Sequence, residues 1–165
     1  MATAKELFSK LGNVKIQEGG VYFKPGFYLV EIQETKIIET RKKVDAIIIG
    51  CKILGVKDDN EDCNQPGTTA SQVLMLGGEA ADSSLSNWKG FLAKAAGIDD
   101  PEEHNDAEWE SVAVAAVEDN VFARTVMVLN CFEITTKKGH PFTRHDWLRV
   151  ADDSDFVNFG LTAKE

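Results

Sequence analysis

Eleven side chains could together hold a polyanionic, base-bearing chain: Arg41, Lys42, Lys43, Lys52, Lys137, Lys138, His140, Arg144, His145, Trp147 and Arg149. Cations neutralise phosphates, giving affinity without sequence preference that falls as salt rises. An aromatic face stacks on a base, worth about 1–3 kcal/mol per base. Most of these cations lie in or beside two short turns, Glu39-Thr40-Arg41-Lys42-Lys43 and Thr135-Thr136-Lys137-Lys138-Gly139-His140, each set between β-like runs. Strict alternation in the final run puts His145, Trp147 and Arg149 on one face. Phe142, Arg144, Asp146, Leu148 and Val150 then share the other. Trp147 is thus either a stacking platform between a histidine and an arginine or, if it points inward, a plug of the core. Phe27 is a weaker stacking candidate, and Tyr22 and Phe23 before Pro25 read as packing residues.

Other chemistries find less support. His140 and His145 have Cys131 and Asp146 nearby in sequence, but one histidine falls on a turn and the other in a strand, and no second ligand pair stands at a standard zinc spacing. No serine or cysteine sits in a recognisable nucleophile motif, and Gly77-Gly78 lacks the lysine and spacing of a phosphate-binding loop. The acidic run Asp58-Asp59-Asn60-Glu61-Asp62 has the composition of a calcium loop without its positional pattern. The expectation is a protein without catalytic residues, metal or cofactor.

Charge is segregated along the chain. The formal net charge is -9 over 165 residues. Eleven acids between Gly78 and Asp119 face only Lys89 and Lys94, so that segment carries the whole imbalance. Lys36 to Lys52 holds five cations against Glu39 and Asp45, and residues 120–150 hold five more against Glu133 and Asp146. Excess acid argues against generic affinity for polyanions, whereas cations gathered at turn tips argue for a local one. Three cysteines without CxxC spacing suit a reducing compartment. No apolar run reaches the roughly 18 residues of a membrane span, and the first residues lack the apolar core of a signal peptide. A cytoplasmic location is expected.

The elements that must position these residues follow from periodicity. Thr3 to Leu11 reads as a short amphipathic helix, and residues 1–25 as a helix with an irregular lead-in. Phe27–Glu39, Val44–Val56 and Ser71–Leu76 read as strands. Residues 78–119 form an acidic helical insert. Its first helix carries Leu85, Trp88, Phe91, Leu92 and Ala95 and stops at Gly97. Its second starts at Asp100 as N-cap with Pro101 and Glu103 behind it, and runs to about Val117. Val121–Thr136 and Phe142–Val150 read as the last two strands. The order β-β-β-α(α)-β-β within one domain, residues 1–165, predicts a mainly β, α+β fold: a five-stranded OB-like Greek-key barrel. A three-stranded sheet packed on helices is the competing architecture. In an OB barrel the loops joining strands 1–2 and 4–5 flank the ligand face, and here these are the two basic turns. The last segment, residues 151–165, mixes acids with Phe156 and Phe159. It reads either as an acidic partner-recruiting tail or as a stretch packing both phenylalanines on the barrel.

Three stretches resemble small tailed-phage proteins found among replication and recombination genes. They are Tyr22-Phe23-Lys24-Pro25-Gly26-Phe27-Tyr28-Leu29-Val30-Glu31-Ile32, the run Lys89–Gly97, and Thr136-Lys137-Lys138-Gly139-His140-Pro141-Phe142-Thr143. The resemblance spans roughly residues 20–150 as scattered short matches. It implies an OB-like fold and a role in covering single-stranded DNA in the host cytoplasm, and it transfers no catalytic residue. Expected partners are single-stranded DNA, replication or recombination proteins on the acidic helices or C-terminal segment, and a second copy of the chain. The rival expectation is a protein-binding adaptor or structural phage component that uses the acidic helical surface.

Overall fold

Long β-branched runs with alternating burial set the architecture. The computed structural model describes residues 4–5, 22–57, 63–78, 81–135, 138–139 and 141–161. In order these form β1 (Gly26–Glu39), β2 (Asp45–Val56), β3 (Thr69–Met75), α1 (Ala81–Ala96), a 3-10 turn (Pro101–Glu103), α2 (Asp106–Glu118), β4 (Val126–Thr135), β5 (Pro141–Val150) and α3 (Asp153–Asn158). All five strands join one antiparallel sheet in the order β3-β2-β1-β4-β5. The fold is α+β and mainly β. Of the expected helix over Thr3–Leu11 only Ala4 and Lys5 are described, both helical, and the acidic run Asp58–Asp62 lies outside the described residues.

The sheet is not closed, contrary to the barrel expectation. Among the described residues no ladder joins β3 to β5. Side chains and the lead-in segment span the seam instead. Tyr22 makes a parallel bridge with Ser71 of β3, and the buried Phe23 ring meets the His145 ring of β5 edge-on at 5.7 Å. The indole N–H of Trp147 in β5 donates to Gln72 Oε1 in β3 at 2.9 Å. Buried Asn64 pins the lead-in, accepting from Lys24 N (2.8 Å) and donating to the Tyr22 carbonyl (3.2 Å).

One face of the sheet carries the main core. Tyr28, Val30 and Ile32 of β1, Ile47, Ile49 and Ile53 of β2, and Met127 and Leu129 of β4 pack against Trp88, Phe91 and Leu92 of α1. Each large apolar side chain buried this way contributes about 1.5–3 kcal/mol. The opposite face has a smaller cluster, Leu29, Val126 and Val128, covered by Phe156 of α3. Phe159 stacks on Phe27 at 5.5 Å, and Gly55 makes room, since a Cβ there would stand 3.1 Å from the Phe159 Cβ. The C-terminal segment is thus packed through Leu161.

Three register shifts bend the sheet, around Gln33 in β1, Leu54 in β2 and Leu148 in β5. Each bulge adds local twist and reverses the facing pattern beyond it. At the first, Asn120 bridges the bulge, accepting from Thr35 N (3.0 Å) and donating to the Gln33 carbonyl (3.3 Å).

The helical insert departs from the expected boundaries. Asp100 caps only the 3-10 turn; the helix proper starts at Asp106, where Asn105 and Glu108 form a reciprocal capping box. In α1, Ser84 is buried and Leu85 exposed. Val121 to Arg124 form a turn, and β4 begins at Val126. No helix among the described residues is long and apolar enough to cross a membrane.

Candidate nucleic-acid interface

The first basic turn is a tight hairpin. Thr40 N donates to the Val44 carbonyl and Lys43 N to the Thr40 carbonyl, both at 2.9 Å. Lys43 is left-handed at φ 60°, as a type I turn followed by an αL residue requires. Glycine suits that conformation best, and lysine there costs on the order of 1 kcal/mol. Arg41, Lys42 and Lys43 are all exposed. At the other hairpin Lys138 is exposed and Gly139 takes φ 81°, while Lys137 and His140 lie outside the described residues.

Register fixes where the tips stand. β1 pairs with β2 up to Glu39↔Asp45, whereas its pairing with β4 covers only Gly26 to Glu31. β4 runs antiparallel to β1 and continues to Thr135, past the start of β1. The two turns therefore lie at opposite ends of the sheet. Between them Lys52 is exposed on β2, opposite Glu31 and Thr69, and Arg144 is exposed on β5, opposite Phe132.

Three expected residues are used in packing instead. Trp147 is 5% exposed, hydrogen-bonded to Gln72 and edge-on to Phe91 at 4.9 Å, so it is a core plug and not a stacking platform. The largest apolar ring of β5 faces Leu129 and α1, and burial there outweighs display. His145 does not supply a cation. Burial lowers its pKa to about 4, leaving the imidazole neutral at pH 7, and its Nε2 is buried with no hydrogen-bond partner among the described residues. Such an orphan costs about 1–3 kcal/mol.

Arg149 does not share the face of Trp147. The bulge at Leu148 pairs Arg149 with Val128, on the outer face, while Trp147 pairs with Leu129 on the inner one. There the guanidinium grips Asp155 of α3 through Nε–Oδ2 at 3.1 Å and Nη2–Oδ1. Hydrogen bonds from Arg149 hold the Asp155 carboxyl below its ordinary range and raise the guanidinium pKa. Phe27, the weaker stacking candidate, is half-buried under Phe159 with Lys57 Nζ 5.7 Å from its centroid. Asp155 and Phe156, two residues of the proposed acidic tail, are buried.

Strand periodicity does not disclose the seam between β3 and β5. The start of α1 completes there a cleft of about 630 Å³, bordered by Tyr22, Ser71, Ser84, Phe142, Arg144 and His145 among others. Tyr22 is 59% exposed and Phe142 53%. The signal for Phe142 was present: alternation already set it with Arg144 and Asp146, the polar side of β5.

The cysteines offer no ready nucleophile. Cys51, Cys63 and Cys131 are buried and form no disulfide, and burial pushes the Cys51 and Cys131 thiols well up. No protein-family model matches the chain, and no curated protein matches its sequence.

Proposed function

We propose that the chain is a non-enzymatic single-stranded DNA-binding protein of the kind phages encode for replication and recombination, acting in the host cytoplasm. Its sheet is read as an OB-like barrel left open at one seam. Opening an OB barrel between its third and fifth strands gives the order β3-β2-β1-β4-β5, with a helix between the third and fourth strands. The observation that carries the reading is that both hairpin tips of this one sheet end in exposed cations, in a chain of net charge -9. DNA would cross β2 and β3 between Arg41, Lys42 and Lys43 at one end and Lys138 at the other, with Lys52 and Arg144 along the way. The exposed acids of α2 (Asp106, Glu108 and Glu110 among them) would repel duplex DNA and leave a surface for replication or recombination proteins.

The test is fluorescence anisotropy of a labelled oligothymidine and its duplex, titrated with protein at low and moderate salt. Single-strand preference is expected, with affinity falling as salt rises. Lys42→Glu combined with Lys138→Glu should weaken binding tenfold or more and flatten the salt slope by about 0.7 per lost phosphate contact. No binding at low salt would remove this reading, and the acidic helices would then be the surface to test against protein partners.

A further inference from the structure

We propose that the cleft between β3 and β5 receives one unstacked base of the bound strand, held between Tyr22 and Phe142 while Arg144 and Lys138 take the flanking phosphates. This rests on the function proposed above and supplies the stacking role that Trp147 does not fill.

The cleft's composition sets it apart. The sequence contains 27 acidic residues, yet no carboxylate appears among the described residues bordering the cleft, and Arg144 does. A polyanion can approach there without the repulsion that α2 would impose. Two aromatic side chains, at 59% and 53% exposure, stand at the border, whereas the other aromatic side chains among the described residues are buried or partly buried. An exposed ring gains little in the free protein, whereas every base offers a π-face to stack on it.

Small polar groups line part of the rest, beside the apolar Phe23, Val73, Leu74, Met75 and Ile134. Ser71, Ser84 and Asn87 offer hydroxyl and amide donors and acceptors to a base edge without demanding one base. The neutral His145 ring lies against the buried Phe23 at the same wall. At about 630 Å³ the cleft falls within the range of small-ligand sites, about 300–1,000 Å³. A paired base cannot leave its stack without cost, so such a pocket selects single strands by itself. The cleft exists because the sheet is open: a β3–β5 ladder would fill it. Phe142 and Lys138 share the β4–β5 hairpin, so phosphate and base contacts would fall on neighbouring nucleotides.

The experiment compares an oligothymidine with an abasic oligomer of the same length, both by anisotropy, with wild type, Tyr22→Leu, Phe142→Leu and Arg144→Gln. Leucine keeps apolar bulk and removes the π-face, and far-UV circular dichroism with thermal melting controls for folding. Each leucine variant should lose roughly tenfold on oligothymidine and nothing on the abasic oligomer, as loss of one stacking contact implies. Arg144→Gln should weaken both probes alike. Equal losses on both probes, or none on either, would overturn the base site while leaving the DNA-binding function standing. Failure of the wild type to bind either oligomer would overturn both. Photocrosslinking of 5-iodouracil-bearing oligonucleotide gives a second reading: adducts at Tyr22 or Phe142 support the site, and adducts only elsewhere overturn it.

Discussion

The two halves of β5 are built from similar residues and put to opposite uses. Pro141 to Arg144 is an outward half: Phe142 and Arg144 are exposed, and both border the seam. His145 to Arg149 is an inward half: a histidine, a tryptophan and an arginine are taken up by the core, by Gln72 and by Asp155. Composition does not separate them, since each half has one aromatic and one arginine. Neighbours do. The second half lies over β4 where α1 and α3 cover the two faces, while the first extends toward the tip and borders the seam. A strand can thus display chemistry at one end and anchor itself at the other.

The largest expected effect breaks the inward half. Trp147→Ala should cost about 3–5 kcal/mol, the range for large aromatic truncations, because it opens a cavity beside Phe91 and strands Gln72. Trp147→Phe keeps most of the bulk and should cost about 1–3 kcal/mol, the penalty of an unpaired buried amide. Urea unfolding measures both. Native stability in Trp147→Ala together with lost DNA binding would return the indole to the surface and erase the contrast.

Next comes the acid response of His145. Its folded pKa is lowered from 6.5 to about 4 by burial, so the unfolded chain takes up the proton first as pH falls. The stability at stake is fully present above pH 6.5 and is lost between there and about pH 4, amounting to at most about 3 kcal/mol. Its cross-strand neighbour Cys131 is a thiol raised by burial and uncharged throughout this window. His145→Phe should flatten that part of the curve of unfolding free energy against pH. Parallel curves for the two proteins would show that the imidazole is solvated. The depressed Asp155 carboxyl adds a separate loss only below its ordinary value of 3.8.

Asp155→Asn is smaller. The carboxylate is buried and also accepts from Asp152 N in the capping box of α3, but Arg149 is half in water, which discounts the pair. About 1–3 kcal/mol is expected, or a fall in Tm of several degrees in a chain of this length. Oligothymidine affinity should hold, because Arg149 serves α3 and not DNA. A loss of affinity without a loss of Tm would reassign Arg149 to the interface.

These contrasts also mark what the sequence made legible. The order of elements along the chain, the helical insert and the turn positions follow from periodicity and from Gly, Pro and Asp signals, because those are local. The basic tips were readable for the same reason. The face of Arg149 was not, since a bulge at Leu148 reverses alternation and only the partner strand reveals it. Nor was the fate of His145 and Trp147: parity grouped them correctly, but which side of the sheet α1 covers is a tertiary fact. The open seam lay furthest out of reach. It depends on Tyr22 and Phe23 standing between strands nearly fifty residues and more away in sequence.

The smallest effect sharpens the comparison most. Phe142 faces Ile134 across the β4–β5 ladder, with about half its surface already in water. A cross-strand pair of that kind is worth about 0.2–1 kcal/mol. Phe142→Ser should therefore change stability by less than about 1 kcal/mol in urea unfolding, a fraction of the Trp147→Ala loss from the same strand. A cost above about 2 kcal/mol would mean that Phe142 closes the seam as Trp147 does, and that both halves of β5 serve the fold. A near-zero cost leaves an exposed phenylalanine that packing does not account for, beside a cleft bordered by no described carboxylate. That outcome leaves Phe142 free to serve the proposed base site, and the strand's two ends to serve different tasks.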